Sequence, residues 1–190
     1  RRANPRRILD VATGTGDLAI ALARRIRDVQ VMGVDLSEEM LAVARRKVEA
    51  RGLDSRIVLE RGDAEHLEVA DASVDAATVA FGVRNFGDLA AGLRELARTI
   101  RPGGKVVILE FSRPRNRVFR ALYEFYSYKI LPRIGGLVSR DKRAYEYLPA
   151  SVGEFPAPAE FLGMMEKAGF RNCRAKSQSC GIAQIYIGER

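Results

Sequence analysis

The stretch LDVATGTGD, residues 9–17, limits what this chain can fold into more than any other part of it. Ile8, Leu9 and Val11 form a short apolar run that closes on small residues, and Leu18, Ile20, Leu22 and Ala23 then begin a helical apolar period. Strand, tight turn, helix is the arrangement this predicts. Gly14 and Gly16 let the turn's backbone approach a ligand with no Cβ in the way, and the helix that follows offers unpaired N–H groups. The bland alternative is a plain turn in which Asp17 is a solvated first-turn residue.

Gly14, Gly16 and Ala19 satisfy G-x-G-x-x-A, and Asp35 follows at about the 20-residue distance of a ribose-binding acid, so spacing alone admits a dinucleotide. Charge argues otherwise. Asp10 and Asp17 put two carboxylates around the loop, where a pyrophosphate needs neutral or positive surroundings. A cationic ligand suits the place better. S-adenosylmethionine carries a sulfonium, an ammonium, a ribose and an adenine but no phosphate.

At 190 residues the chain is most simply a single domain, residues 1–190. It has no repeat, no signal peptide and no apolar run long enough to span a bilayer, which makes an intracellular protein the expectation. It begins Arg1-Arg2-Ala3-Asn4-Pro5 without Met, so a preceding piece is expected. Cys173 and Cys180 lack metal-ligand spacing, and with one His in the chain no metal site is expected. The net charge is +8, and nine basic residues against Glu124 and Asp141 fall between Arg113 and Arg143. Such patches suit phosphate-bearing partners, either nucleic acid or an anionic membrane face.

Along the chain, strands are expected at about Arg7 to Ala12, Val29 to Val34, Ile57 to Glu60, Val74 to Val79 and Val106 to Leu109. Helices alternate with them at Thr15 to Arg27, Ser37 to Arg51 and Leu89 to Ile100. Pro102-Gly103-Gly104 reads as the turn into the fifth strand. Asp35, at the end of the second strand, and Asp63, after the third, fall on the sheet edge where ligands bind in doubly wound folds. Asp63 can accept from an adenine amino group beside Ala64, or it can cap a short helix over Ala64 to Leu67. His66 reads as a surface residue. After the fourth strand comes FGVRNFGD, where Phe81 and Phe86 flank Arg84 and Asn85, as if to hold that pair in place. Pro158 to Ala168 is a last helix, and the closing strands, Asn172 to Ser179 and Ile182 to Ile187, are too close for a crossover and form an antiparallel hairpin. Five parallel strands closed by such a hairpin define the class I S-adenosylmethionine-dependent methyltransferase sheet, Rossmann-like, with a helical insertion before the last helix.

That insertion, at about residues 112–157, interrupts the rhythm and should carry substrate specificity. Phe119, Leu122, Tyr123, Phe125, Tyr126, Ile130 and Leu131 recur at helical spacings beside Arg120 and Lys129, as in a helix that covers an apolar pocket, lies on a membrane, or packs in a core. Gly135-Gly136 supplies a lid-like turn. Tyr145 and Tyr147, two apart, cannot share a helical face.

LDVATGTGDLAI, GVDLSEEML, FGVRNF, PGGKVVILEFSRP, YKILPRIGGLVS and YEYLPASVGEFP together resemble the quinone-biosynthesis C-methyltransferases, the demethylmenaquinone and ubiquinone-pathway enzymes, over nearly the whole chain. The resemblance implies cofactor contacts at Gly14, Thr15 and Gly16, at Asp35 for the ribose hydroxyls, and at Asp63 and Ala64 for the adenine. Some members have Ser where this chain has Ala80, so a contact there runs through backbone. The family usually opens with a helical segment carrying a Tyr-Asp pair, which this sequence lacks. The implied reaction is methyl transfer from S-adenosylmethionine to a ring carbon of a reduced prenylated quinone, naphthoquinol or benzoquinol. Arg84 would stabilise the acceptor oxyanion, Asn85 would orient the ring oxygen, and Tyr145 would contact a substrate hydroxyl, with Asp141 or Glu110 as candidate bases. A location on the cytoplasmic membrane face is expected, and a homodimer is left open. The alternative is an RNA or other small-aromatic methyltransferase. The chain lacks the Asn/Asp-Pro-Pro-aromatic motif, a catalytic Cys in a suitable loop and an appended RNA-binding module, which argues against a nucleic-acid partner.

Overall fold

A computed structural model of the chain describes residues 5–112 and 155–190. Seven strands form one sheet in the order β3-β2-β1-β4-β5-β7-β6: β1 Arg7–Val11, β2 Gln30–Asp35, β3 Ile57–Arg61, β4 Val74–Ala80, β5 Ile100–Phe111, β6 Arg171–Gln178 and β7 Ala183–Glu189. The first five pair parallel, while β7 runs antiparallel to both β5 and β6. The expected class I methyltransferase sheet, hairpin included, is the one observed.

Helices α1 (Asp17–Arg25) and α2 (Glu38–Glu49) belong to the β1–β3 half, and α3 (Leu89–Thr99) and α4 (Pro158–Lys167) to the other. Each begins as its sequence dictates. Ser37 caps α2 by accepting from the Met40 N–H at 3.2 Å, and Asp88 caps α3 by accepting from Ala91 at 2.9 Å. Acidic residues in the first turn and basic ones in the last complement the dipoles of α1 and α2. Ile8, Val31 and Ile57 cluster with Ile20 and Val48 of the helices, whereas Leu9, Val11, Ile108 and Tyr186 join Leu93, Leu96, Phe161 and Met165 in the larger core. The central strands are therefore apolar on both faces, as a covered parallel sheet requires.

One expected boundary differs. Pro102-Gly103-Gly104 lies inside β5, which begins at Ile100 opposite Val74. The register shifts between Val74 and Ala76, and this irregularity accommodates a proline that has no N–H to give the ladder. Residues 62–73, between β3 and β4, form no helix. Arg98 of α3 holds this connection by donating to the Leu67 and Val69 carbonyls at 2.8 and 2.7 Å, and Glu95 accepts from the Leu67 N–H. Tyr145, Asp141, the aromatic segment of the insertion and the whole basic stretch from Arg113 to Arg143 lie outside the described residues.

Candidate active site

The carboxyl ends of β1, β2 and β4, with the segment after β3, enclose a cleft of about 270 Å³ lined by Ala12, Asp35, Leu36, Gly62, Asp63, Ala64, Glu65, Gly82, Asn85 and Phe86, among others. Two of its loops leave the sheet through strained residues: Ala12 after β1 and Phe81 after β4 have φ of 54° and 57° without being glycine. Such backbone costs about 1–3 kcal/mol and persists where the surroundings enforce it. Here the two loops press together. A Cβ on Gly82 would stand 2.3 Å from the Ala12 Cβ.

Asp35 organises the β1–β3 side of the cleft. Its Oδ2 accepts from the Gly14 N–H at 2.7 Å and its Oδ1 from the Ser37 N–H at 2.9 Å, so the carboxylate is aimed by main chain on both sides. Each oxygen keeps a further lone pair, enough to accept from two vicinal hydroxyls. Gly14 has φ of 56° and open space where a Cβ would stand, and Gly16, at φ 78°, caps α1. Thr15 turns outward: its hydroxyl accepts from Lys47 Nζ at 3.0 Å and donates to Asp17. Asp63 Oδ1 accepts from the Glu65 N–H at 2.9 Å in a tight turn closed by the Asp63–His66 bridge, not in a helix, and its carboxylate lines the cleft beside Ala64. His66 is on the surface, with its side chain 85 % exposed.

The two carboxylates expected around the loop do not line the cleft. Asp10 is buried beneath it, accepting from the Thr13 and Thr78 hydroxyls at 2.6 Å each, and burial pushes its carboxyl up to about 6. Asp17 faces outward and pairs with Lys47 at 2.6 Å, a hydrogen bond that holds its carboxyl below the ordinary range. The cleft is acidic all the same, through Asp35, Asp63 and Glu65, and among the described residues no Lys or Arg lines it. Three carboxylates, with no cation beside them among the described residues, repel a pyrophosphate and attract a cationic nucleoside. S-adenosylmethionine fits the residues present.

Sequence reasoning missed Leu36 and Glu65, and it gave Phe86 as an anchor of the Arg-Asn pair but not as part of the cleft wall. Leu36 is 60 % exposed although apolar, directly after Asp35, and its position in GVDLS was the available signal. Glu65 fixes the next loop by accepting from the Asp88 N–H at 2.9 Å.

On the β4 side, Asn85 lines the cleft, in a short 3-10 turn over Val83–Asn85. Arg84 points to the sheet. Its Nη1 donates to Glu110 at 2.7 Å and to the Phe81 carbonyl, and its guanidinium lies 5.5 Å from the centre of the Phe111 ring, itself packed on Phe81 at 4.3 Å. Glu110, a candidate base by sequence, is 0 % exposed and bound as the counter-ion of Arg84. Ala80, the last residue of β4, is half-buried and pairs with Leu109.

The sequence matches the ubiE/COQ5 methyltransferase family over residues 1–190. It is 48% identical over 185 residues to the ubiquinone/menaquinone biosynthesis C-methyltransferase UbiE of Geobacter sulfurreducens, covering 97% of this chain and 72% of that protein. The demethylmenaquinone methyltransferase of Thermus thermophilus is 47% identical, with 98% of this chain and 83% of that protein covered. Among solved structures, a SAM-dependent methyltransferase from Aquifex aeolicus superposes with a TM-score of 0.70 at 20% identity, over 96% of this chain and 81% of the other. Phosphoethanolamine N-methyltransferase 2 of Haemonchus contortus, in complex with S-adenosyl-L-methionine, gives 0.73 at 18%, over 100% and 50%. At those identities the structures share the fold alone, whereas near-half identity over almost all of this chain, with a match along its whole length, makes it a member of the ubiE/COQ5 methyltransferase family.

Proposed function

We propose that this chain transfers a methyl group from S-adenosylmethionine to a ring carbon of a reduced, prenylated quinone precursor, converting a demethylmenaquinol to a menaquinol and, by the same chemistry, methylating the ubiquinone-pathway benzoquinol. The observation that carries the reading is an acidic cleft, lined by no Lys or Arg among the described residues, with an Arg-Asn turn at its β4 wall. When bound, S-adenosylmethionine supplies an electrophilic methyl on a sulfonium.

Everything else falls to the residues. Asp35 binds the ribose hydroxyls, Gly14 and Gly16 bring backbone close to the methionine portion, and Asp63 with the backbone of Ala64 reads the adenine, covered by exposed Leu36. Thr15 acts through its main chain, its hydroxyl being turned to Lys47. Ala80 offers main chain at the end of β4. A ring carbon becomes nucleophilic when the neighbouring hydroxyl is held as phenolate, whose free pKa is about 10. Arg84 stays protonated and cannot serve as base; its buried, unpaired Nε–H is a donor for that oxygen in a dry place, where one such donor is worth about 3 kcal/mol. Asn85 orients the ring oxygen from the cleft wall, and Tyr145 contacts a substrate hydroxyl. On this reading the insertion at 112–157 covers the acceptor and its basic residues meet anionic lipid, where a prenylated substrate resides.

The test supplies methyl-labelled S-adenosylmethionine with demethylmenaquinone and a demethylated ubiquinone precursor, each with and without reductant. Label in a ring carbon of the reduced acceptors is the expected result. Label in neither, with S-adenosylmethionine still bound, removes the quinone assignment.

A further inference from the structure

Glu110 follows the apolar run Val106–Leu109 in β5, and its carboxylate is turned to the Arg84 turn. Oε1 accepts from Arg84 Nη1 at 2.7 Å and from the Phe111 N–H at 2.8 Å, while Oε2 accepts from the Arg84 main-chain N–H at 3.2 Å. The nearby Tyr186 hydroxyl, also buried, makes no hydrogen bond, so it does not compete for those oxygens. Stability alone gives little reason for this arrangement, because an apolar pair of the same volume commonly holds such a place as well or better. Orientation is what the ion pair adds. It fixes Arg84 at both ends, main chain and guanidinium, to a strand in the middle of the sheet. The Phe81 carbonyl and the Phe111 ring complete the seat. Nη1 is thereby engaged twice, and Nε–H remains buried without a partner.

We propose that Glu110 is the positioning residue of the methyl-transfer site, fixing the Arg84 guanidinium so that its unpaired donor meets the ring oxygen of the acceptor. The inference rests on the role given to Arg84 above. Glu110 acts through Arg84 and does not touch the acceptor.

A double-mutant cycle on the full chain tests it, with kcat read on dithionite-reduced demethylmenaquinone and S-adenosylmethionine affinity read by calorimetry. Glu110→Gln lowers kcat about 100-fold, the scale of one lost oxyanion donor, while cofactor affinity stays within about threefold. In an Arg84→Met background the same change alters kcat by less than about threefold, because the guanidinium it positions is gone. Should Glu110→Gln fail to fold, Glu110→Asp keeps the charge but withdraws the carboxylate by one methylene, with an expected loss of about tenfold. A Glu110→Gln enzyme at wild-type kcat overturns the inference, as does an equal loss in both backgrounds, which would make Glu110 a direct participant. Wild-type kcat in Arg84→Met would instead sink the role of Arg84 itself.

Discussion

The two sides of the cleft are built by opposite means. On the β1–β3 side, main-chain groups and short acids do the work: Gly14 and Ser37 donate to Asp35, Asp63 holds its own turn, and the carboxylates stay open to the cleft. On the β4–β5 side, charge is buried and paired, Arg84 with Glu110, with aromatic rings around it. The first side can bind and release a soluble nucleoside, since its donors and acceptors lose little by facing water between visits. The second, if it meets the acceptor as proposed, suits a site that must stay dry while charge shifts there.

Truncating Asp35 to Ala is the largest single blow to the open side. S-adenosylmethionine should bind about 100-fold more weakly, about 3 kcal/mol, by calorimetry. Unchanged affinity would move cofactor recognition off this wall. Asp10 sits where the two sides meet, bonded to Thr13 after β1 and to Thr78 on β4. In the folded chain its carboxyl keeps its proton up to about 6, against 3.8 when unfolded, so its contribution to stability is complete below 3.8 and is lost as pH rises through about 6. Relative to Asp10→Asn, the wild type should therefore lose about 3 kcal/mol between pH 3.5 and 7 in denaturant melts. A flat difference would mean that burial does not oppose this charge. Gly82→Ala drives a Cβ into Ala12 and should cost about 2 kcal/mol, a fall of roughly 5 °C in Tm. If Tm holds, the loops separate easily and the two walls are only loosely joined. The smallest effect belongs to Asp63→Ala, about tenfold in cofactor affinity with kcat at saturation unchanged. A fall in kcat instead would blur the division between walls.

The same division governs what could be read from sequence. Strand and helix positions followed from apolar periodicity, and Asp35 and Asp63 were found because the open side uses local signals, a carboxylate just past a strand. The buried side uses partners far apart in the chain. Thr78 is 68 residues from Asp10, and Glu110 is 26 from Arg84, so nothing near either residue announces the pairing. For Glu110 a trace was present: a lone acid in VVILEF at an apolar register position points to a buried counter-charge as readily as to a base. The β5 start was missed because Pro-Gly-Gly normally ends pairing, and here a register shift lets the strand carry it.

The sheet order also dictates when each wall can exist during synthesis. The β1–β3 side is made by residues 8–67, all contiguous in the emerging chain. Glu110 acquires its second strand neighbour only from β7, where Gln184 lies opposite, and β7 slots between β5 and β6. The Ser112 hydroxyl likewise waits for the Gly181 carbonyl. A nascent chain can thus bring the β1–β3 side of the cleft together well before residues 183–189 leave the ribosome, whereas the side holding Arg84 and Glu110 closes last, so no product truncated before β7 carries a finished β4–β5 wall.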